Sequence, residues 1–319
     1  MSKEQEMLNE IRKLIPNSQK YLHDDAAIIE NNLIVTTDTI VENIHFTLKT
    51  YKPEEIGWKA MAVNLSDIAA MGGEPLYSLI ALSLPKNIKI NWVKSLYKGL
   101  VKCAKKYKTQ IIGGNLARGK EINITVTLIG KSISKNIPKR SNAKPGDIVF
   151  TTGTFGDSGC GFLALNSVET CHGMPLHTMN KLITIHKQPI PKINLGQKFT
   201  NLTKRVTLMD ASDGLADCLI QISNESKVNI IVNESTIPVS NNTRLVSKFL
   251  NKNPLELALY SGEDYQLVGT VSKNDYKRLE KIKSINIIGE VKKGKNAYLK
   301  QKNGQLVKLE IKKAFKHFT

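Results

Sequence analysis

The amino-acid sequence predicts a mixed α/β protein, and three observations lead to this fold class. Residues 122–128 alternate between apolar and polar side chains, as a half-buried strand does. Residues 92–106 carry apolar side chains at helical spacing. Residues 131–144 are polar, contain Pro138 and show no periodicity. Strands and helices therefore occur together, on both sides of a segment that resembles a linker.

We place a domain boundary in that linker, which predicts a first domain of residues 1–137 and a second of residues 138–319. A chain of 319 residues with 41% apolar side chains is long enough to bury two cores. Elements predicted elsewhere are a helix over 7–15, a strand over 33–37, a helix over 53–71, a strand over 147–152, a glycine-rich turn over 153–161, a strand ending at 207–209, a helix over 215–222, and a turn followed by a strand within 258–268.

The formal net charge of +18 first suggests binding to nucleic acid or to an anionic membrane. Only six of the 46 cationic side chains are Arg, however, and the Lys residues are spread along the chain. Arg is the side chain that reads phosphates and bases through two parallel hydrogen bonds. We therefore expect no nucleic-acid partner, although a basic, non-catalytic nucleic-acid-binding protein stays open as an alternative.

Secretion and membrane insertion find no support in the sequence. The N-terminus lacks an apolar signal region, and the most apolar run, 76–84, is too short to span a bilayer. The four Cys residues form no C-x-x-C pair for a metal or redox site. These features predict a cytoplasmic protein with reduced thiols and no membrane partner.

Acidic residues are scarce, so their grouping is informative. Asp38 follows Thr36 and Thr37 at the end of a predicted strand, and these oxygen ligands suit Mg²⁺. The alternative is that Asp38 caps the next turn. Asn64 and Asp67 share one face of a predicted apolar helix, where the carboxylate needs a metal or a basic partner.

The second half contains a further acidic turn, Asp210-Ala-Ser-Asp213-Gly, between a strand and a helix. Asp210 could bind a second cation, while Ser212 or Asp213 could simply cap the helix. Glycines at 113–114 and 153–159 could bring backbone N–H groups to a phosphate, or form ordinary turns. The sequence contains neither the P-loop motif nor the protein-kinase motifs.

The order of these segments resembles that of the thiamine-monophosphate kinase family from about residue 20 onwards. This family belongs to a superfamily with aminoimidazole ribonucleotide synthetase, selenophosphate synthetase and the hydrogenase-maturation dehydratase. The matching segments are HDDAA (23–27), TTDTIVENIHF (36–46), AVNLSDIAAMG (62–72), GG (113–114), PGD (145–147), TG (152–153), MDASDGL (209–215) and SGEDY (261–265).

The resemblance implies an aminoimidazole ribonucleotide synthetase-like fold whose N-terminal domains form a β-barrel-like core in a homodimer. It also implies Mg²⁺-assisted transfer of the ATP γ-phosphoryl group to thiamine monophosphate, in line and without a covalent intermediate on the protein. A sister enzyme of the same superfamily, similar to aminoimidazole ribonucleotide synthetase, is the alternative within this resemblance.

Site residues follow from the resemblance position by position. The implied metal ligands are Asp25, Thr36, Thr37, Asp38, Asp67, Asn115, Asp210 and Asp213. The implied ATP contacts are Tyr97, Gly114, Asn115, Arg140 and Ser212. The implied contacts to thiamine monophosphate are His45, Glu263 and Phe315. Asn115 departs from the family pattern, which has Asp there, so one cation would lose a charged ligand.

Overall fold

The computed structural model describes residues 3–166 and 176–311, which form α-helices and two β-sheets. The helices are α1 (Lys3–Leu14), α2 (Ser18–Tyr21), α3 (Pro53–Ala70), α4 (Ile90–Lys106), α5 (Asp157–Asn166), α6 (Leu176–Lys187), α7 (Ile193–Leu202), α8 (Leu215–Ser226), α9 (Asn241–Phe249), α10 (Pro254–Tyr260) and α11 (Lys273–Leu279). The strands are β1 (Ala27–Ile28), β2 (Leu33–Val41), β3 (Gly73–Leu84), β4 (Gln110–Arg118), β5 (Asn123–Ser132), β6 (Ile148–Thr152), β7 (Val206–Asp210), β8 (Val228–Asn233), β9 (Leu267–Val271), β10 (Ile285–Lys293), β11 (Ala297–Lys300) and β12 (Leu306–Lys308).

The first sheet has the strand order β1-β2-β5-β3-β4. Its neighbours pair antiparallel except β3 and β4, which pair parallel. Along β5 the even-numbered residues from Ile124 to Leu128 are buried while the odd-numbered residues are partly exposed. One face of this sheet therefore packs against helices, and the other is open.

Helix α3 packs on the buried face of the first sheet and also contacts β7 of the second. Pro53 stands at its first turn, where a missing N–H costs nothing, and Gly72 ends it with a φ of 62°. The helix has no polar face, and most of its residues are buried, including Lys59 and Asn64. Polar side chains in so buried a helix need partners, and these partners define the site described below.

The second sheet has the strand order β12-β11-β8-β10-β6-β9-β7. Helix α8 packs on it beside β7 and β8. All strands of the first sheet end by Ser132 and those of the second begin at Ile148. The boundary proposed at 137/138 falls between the two sheets and stays a prediction.

The mixed α/β class predicted from the sequence is confirmed, and the first sheet is open in the single chain. The prediction of a glycine-rich turn over 153–161 is wrong for residues 157–161, because these residues belong to α5, which begins at Asp157. The reason is tertiary: the Asp264 carboxylate accepts hydrogen bonds from the backbone N–H groups of Gly156 and Ser158, at 2.7 and 3.0 Å. A distant residue thus satisfies the first N–H groups of this helix.

None of the helices within the described ranges combines the length and the apolar character needed to cross a bilayer.

Candidate active site

A cavity of about 820 Å³ lies where the first sheet, α3 and the second sheet meet. Two groups of side chains line it: the carboxylates Asp25, Asp38, Asp67 and Asp210, which we call the acidic end, and a second group of His45, Phe162, His186, Tyr260 and Glu263. The two groups differ in chemistry, since one is built from carboxylates and the other mixes aromatic with charged side chains.

Three carboxylates converge at the acidic end. Asp25, Asp67 and Asp210 each place an oxygen within 4.8 Å of the other two. Asp25 precedes β1, Asp67 lies on α3 and Asp210 ends β7, so three distant parts of the chain supply the cluster. Such an arrangement concentrates negative charge where water has little access.

Alternation along β2 decides which of its residues reach this cluster. The Thr36 hydroxyl donates a hydrogen bond to Asp67 Oδ2 at 2.5 Å, and the Asp38 backbone N–H donates to Asn64 Oδ1 at 2.9 Å. Thr37 points to the opposite face, where its hydroxyl contacts Thr127 Oγ1 at 3.2 Å. Thr36 and Asp38 therefore face α3, while Thr37 borders the cavity from the open side of the sheet.

Burial and the neighbouring charges raise the pKa values of two of these carboxylates, Asp67 and Asp210. Burial raises the pKa of Asp67 well above its usual value, and the charges of Asp38, Asp210 and Asp25 raise it further. Burial and the charge of Asp25 likewise raise the pKa of Asp210. Among the described residues, neither Asp25 Oδ2 nor Asp210 Oδ2 has a hydrogen-bond partner. Buried, unpartnered carboxylate oxygens are the donors that a hard divalent cation prefers.

Arg140 connects the acidic end to the second sheet. Its Nη2 donates to Asp25 Oδ1 at 2.9 Å and its Nη1 donates to Gln221 Oε1 of α8 at 2.5 Å. Its backbone N–H donates to Asp24 Oδ1 at 2.8 Å. The guanidinium therefore stands beside the carboxylates of the acidic end.

A strained turn that contains Glu263 and Tyr265 forms part of the cavity wall. Glu263 and Tyr265 have φ values of 57° and 48°, which non-glycine residues rarely adopt. The turn is fixed because Glu263 N–H donates to Ser212 O at 2.6 Å and Tyr265 N–H donates to Ala211 O at 3.0 Å. Gly262 lies so close to the same loop that a Cβ would stand 2.6 Å from Ser212 O. Strain of this kind is concentrated at functional sites.

The structure brings most of the predicted residues to the cavity. Those that line it are Asp25, Thr36, Thr37, Asp38, His45, Asp67, Arg140, Asp210, Ser212, Asp213 and Glu263. Tyr97 lies on α4, and Gly114 and Asn115 lie on the exposed edge strand β4, away from the cavity lining of the single chain. Phe315 lies outside the described residues.

The sequence motifs did not predict two residues of this site, Lys59 and His186. Lys59 is fully buried on α3, and its Nζ lies 2.7 Å from Glu263 Oε1. His186 lies on α6, and its Nδ1 is 3.2 Å from Glu263 Oε2. A Lys within an otherwise apolar helical segment was the available signal for Lys59, because a buried cation requires a partner. No local pattern distinguishes His186.

Comparison with known proteins identifies relatives of this chain. Residues 23–132 match the family model described as AIR synthase related protein, N-terminal domain. The thiamine-monophosphate kinase of Aquifex aeolicus is 35% identical over 94% of this chain and 93% of its own, and that of Bacillus subtilis is 37% identical over 89% and 88%. The chain belongs to the thiamine-monophosphate kinase family.

Members of the thiamine-monophosphate kinase family are phosphotransferases, so the chain is an enzyme of that class. A solved structure described as AaThiL complexed with AMPPCP and TMP matches it with a TM-score of 0.86 and 33% identity, over 98% of this chain and 96% of the other. The resemblance inferred from the ordered motifs is thereby confirmed.

Proposed function

We propose that this protein transfers the γ-phosphoryl group of ATP to the phosphate of thiamine monophosphate, forming thiamine diphosphate and ADP. One observation carries the proposal: the carboxylate cluster of Asp25, Asp67 and Asp210 lines a cavity of about 820 Å³. Support also comes from the relatives named thiamine-monophosphate kinase and from the solved relative bound to AMPPCP and TMP.

The chemistry of the reaction explains why such a cluster is needed. Donor and acceptor are both anionic phosphates, and their repulsion is the main obstacle to an in-line approach. Mg²⁺, when bound, supplies the positive charge that offsets this repulsion. The proposed ligands in the cavity are Asp25, Thr36, Thr37, Asp38, Asp67, Asp210 and Asp213, and their donor set is made of hard oxygens that fit this ion.

Each substrate would meet its own part of the cavity. Arg140 and Ser212 would bind the phosphates of ATP near the carboxylates, while His45 and Glu263 would bind thiamine monophosphate at the opposite end. Phe315 keeps its proposed role toward the organic rings. The acceptor phosphate is already an ionised nucleophile, so the transfer is direct and needs no covalent bond to the protein.

A homodimer would complete the site. Tyr77 and Leu79 are exposed on the open face of the first sheet, and Leu116 is 69% exposed on its edge strand. A second copy covering this face would bury these side chains and could form the shared barrel-like core. It would also enclose β4, which carries Gly114 and Asn115, two residues proposed to contact ATP.

The dimer is tested by light scattering on Leu79→Lys. A charge placed in the interface should shift the protein towards the monomer. Ile90→Lys is the matched control, because Ile90 is exposed on α4, a helix that packs mainly against α3. A wild-type protein that is monomeric at micromolar concentration would contradict the dimer.

The activity is tested by ADP release with thiamine monophosphate, thiamine and aminoimidazole precursors offered in turn, with and without Mg²⁺. Turnover should require thiamine monophosphate and Mg²⁺. Asp38→Asn and Asp210→Asn should each lower the rate about a hundredfold or more while the circular dichroism spectrum is unchanged. Turnover with an aminoimidazole precursor instead would favour the sister enzyme and overturn the proposal.

A further inference from the structure

A buried lysine lies beneath the substrate end of the cavity. Lys59 is completely inaccessible to solvent. Its Nζ lies 2.7 Å from Glu263 Oε1, 3.1 Å from the backbone oxygen of His45 and 3.3 Å from the Tyr51 hydroxyl oxygen. Two of these partners belong to residues that line the cavity, whereas Lys59 itself does not line it.

The ammonium group has three N–H donors, and the three acceptors around it use them all. Lys59 therefore has no donor left for a ligand and can act only through the groups that it holds. A buried cation is stable only when paired and hydrogen-bonded, so the Glu263 carboxylate is fixed to it rather than free to turn.

His186 restrains the same carboxylate from the other side. Its Nδ1 lies 3.2 Å from Glu263 Oε2 and 2.9 Å from Ser158 Oγ. Burial, together with the charge of Lys59, lowers the pKa of His186 to about 3, so the imidazole is neutral at pH 7. The neighbouring anion favours the tautomer with the proton on Nδ1, which then donates to the carboxylate.

The charge of Glu263 follows from these neighbours. Burial alone would raise the pKa of Glu263, but the charge of Lys59 and the hydrogen bond from it lower this pKa below its usual value. The carboxylate is thus a permanent anion of fixed orientation, and about a quarter of its side chain is exposed. It suits an N–H donor or a cationic ring on the acceptor molecule.

We propose that Lys59 is a positioning residue that fixes the Glu263 carboxylate for recognition of the organic part of the phosphate acceptor. This inference rests on the proposed function, since it assigns the acceptor to that end of the cavity. It predicts that Lys59 governs binding of thiamine monophosphate while leaving binding of ATP unaffected, because the acidic end uses other residues.

The test is steady-state kinetics of Lys59→Met, a substitution of similar length without charge. The KM for thiamine monophosphate should rise about tenfold or more, since Glu263 loses its partner, while the KM for ATP should stay within about twofold. Lys187→Met is the matched control. Lys187 Nζ also lies over the Tyr51 ring, at 5.1 Å from its centre, but pairs with Glu55. The control should change neither KM.

A second comparison distinguishes positioning from a general structural role. If Lys59 acts through Glu263, then adding Lys59→Met to Glu263→Gln should raise the KM for thiamine monophosphate by less than about threefold beyond Glu263→Gln alone. Effects that multiply in the double variant, or equal increases in both KM values, would overturn the inference. This pair remains informative if Lys59→Met alone fails to fold, because the double variant leaves no unpaired buried carboxylate.

The wild-type protein separates this inference from the proposed function. Normal wild-type turnover with an unchanged KM in Lys59→Met overturns the inference and leaves the function standing. Absence of wild-type turnover on thiamine monophosphate overturns the function, and the role given to Lys59 falls with it.

Discussion

At the scale of single residues, the site is built from charged side chains that few water molecules reach. Asp67, Asp210, Glu263 and Lys59 lie in or beneath one cavity, and Asp67, Glu263 and Lys59 each bond to a side chain from another part of the chain. The two ends handle charge differently. Glu263 is neutralised by a lysine, whereas the carboxylates of the acidic end are left repelling one another, which favours a bound cation.

Asp264 provides a residue-scale prediction on pH. Burial raises its pKa to about 7, despite the two backbone hydrogen bonds that it accepts. Between about pH 4 and 7 the folded protein therefore keeps a proton that the unfolded chain releases. The stability from this group is complete below pH 4 and falls as pH rises towards 7, by up to about 1.4 kcal/mol per pH unit.

Urea unfolding of the wild type and Asp264→Asn, from pH 5 to 8 in EDTA, measures this effect. The free energy of unfolding of the wild type should decline with pH relative to that of the variant, which has no such proton. The lost hydrogen bond in the variant adds only a constant offset. Parallel curves for the two proteins would show that Asp264 does not titrate in this range.

At the scale of elements, α3 holds both ends of the cavity together. It carries Asp67 to the acidic end and Lys59 to the Glu263 carboxylate of the cavity wall, and its position is fixed by close contact with α4. Gly57 and Gly99 permit this contact, because a Cβ on either would stand 2.1 or 2.0 Å from a backbone oxygen of the other helix.

Gly99→Ala should destabilise the protein, although alanine favours a helix. The added methyl group would meet the backbone oxygen of Glu54 at 2.0 Å, so the helices must separate, at a cost of about 1–3 kcal/mol. Lys98→Ala on the exposed side of α4 should change the free energy of unfolding by less than about 0.5 kcal/mol. Chemical denaturation of both variants makes the comparison, and equal stabilities would contradict this view of the α3–α4 contact.

At the scale of the whole molecule, the acidic cluster joins segments from both sheets. Asp25 precedes the first sheet and Asp210 ends a strand of the second, with α3 between them. The chain carries a formal net charge of +18, and an excess of positive charge attracts anions from a distance, in a manner that salt weakens.

Mg²⁺ should therefore stabilise the entire fold. A free Mg²⁺ concentration a hundred times the dissociation constant of the site adds about 2.7 kcal/mol to the free energy of unfolding, which raises the melting temperature measurably. Asp67→Asn should remove most of this rise, while Glu74→Gln, a change to an exposed acid on β3, should keep it. Differential scanning calorimetry with increasing MgCl₂ measures both, and an equal rise in Asp67→Asn would exclude Asp67 as a ligand.

The sequence by itself determined the mixed α/β class, the positions of several strands and helices, and the acidic residues of the site. Each of these rests on local information. Alternation along 122–128 indicates a half-buried strand. Acidic residues are rare in this lysine-rich chain, so the segments that contain them indicate a candidate site. The ordered motifs then identified the family before any distance was known.

Tertiary structure alone decided which of these residues meet. Alternation along β2 separated Thr36 from Thr37, and packing of α3 joined Lys59 to Glu263, 204 positions further along the chain. Gly114 and Asn115 were assigned to the site by their motif, yet they lie on an exposed edge strand. The physical reason is that periodicity in the sequence determines the face of an element on which a residue lies. The residue that it contacts is determined by long-range packing, and the neighbouring residues in the sequence carry no signal for that contact.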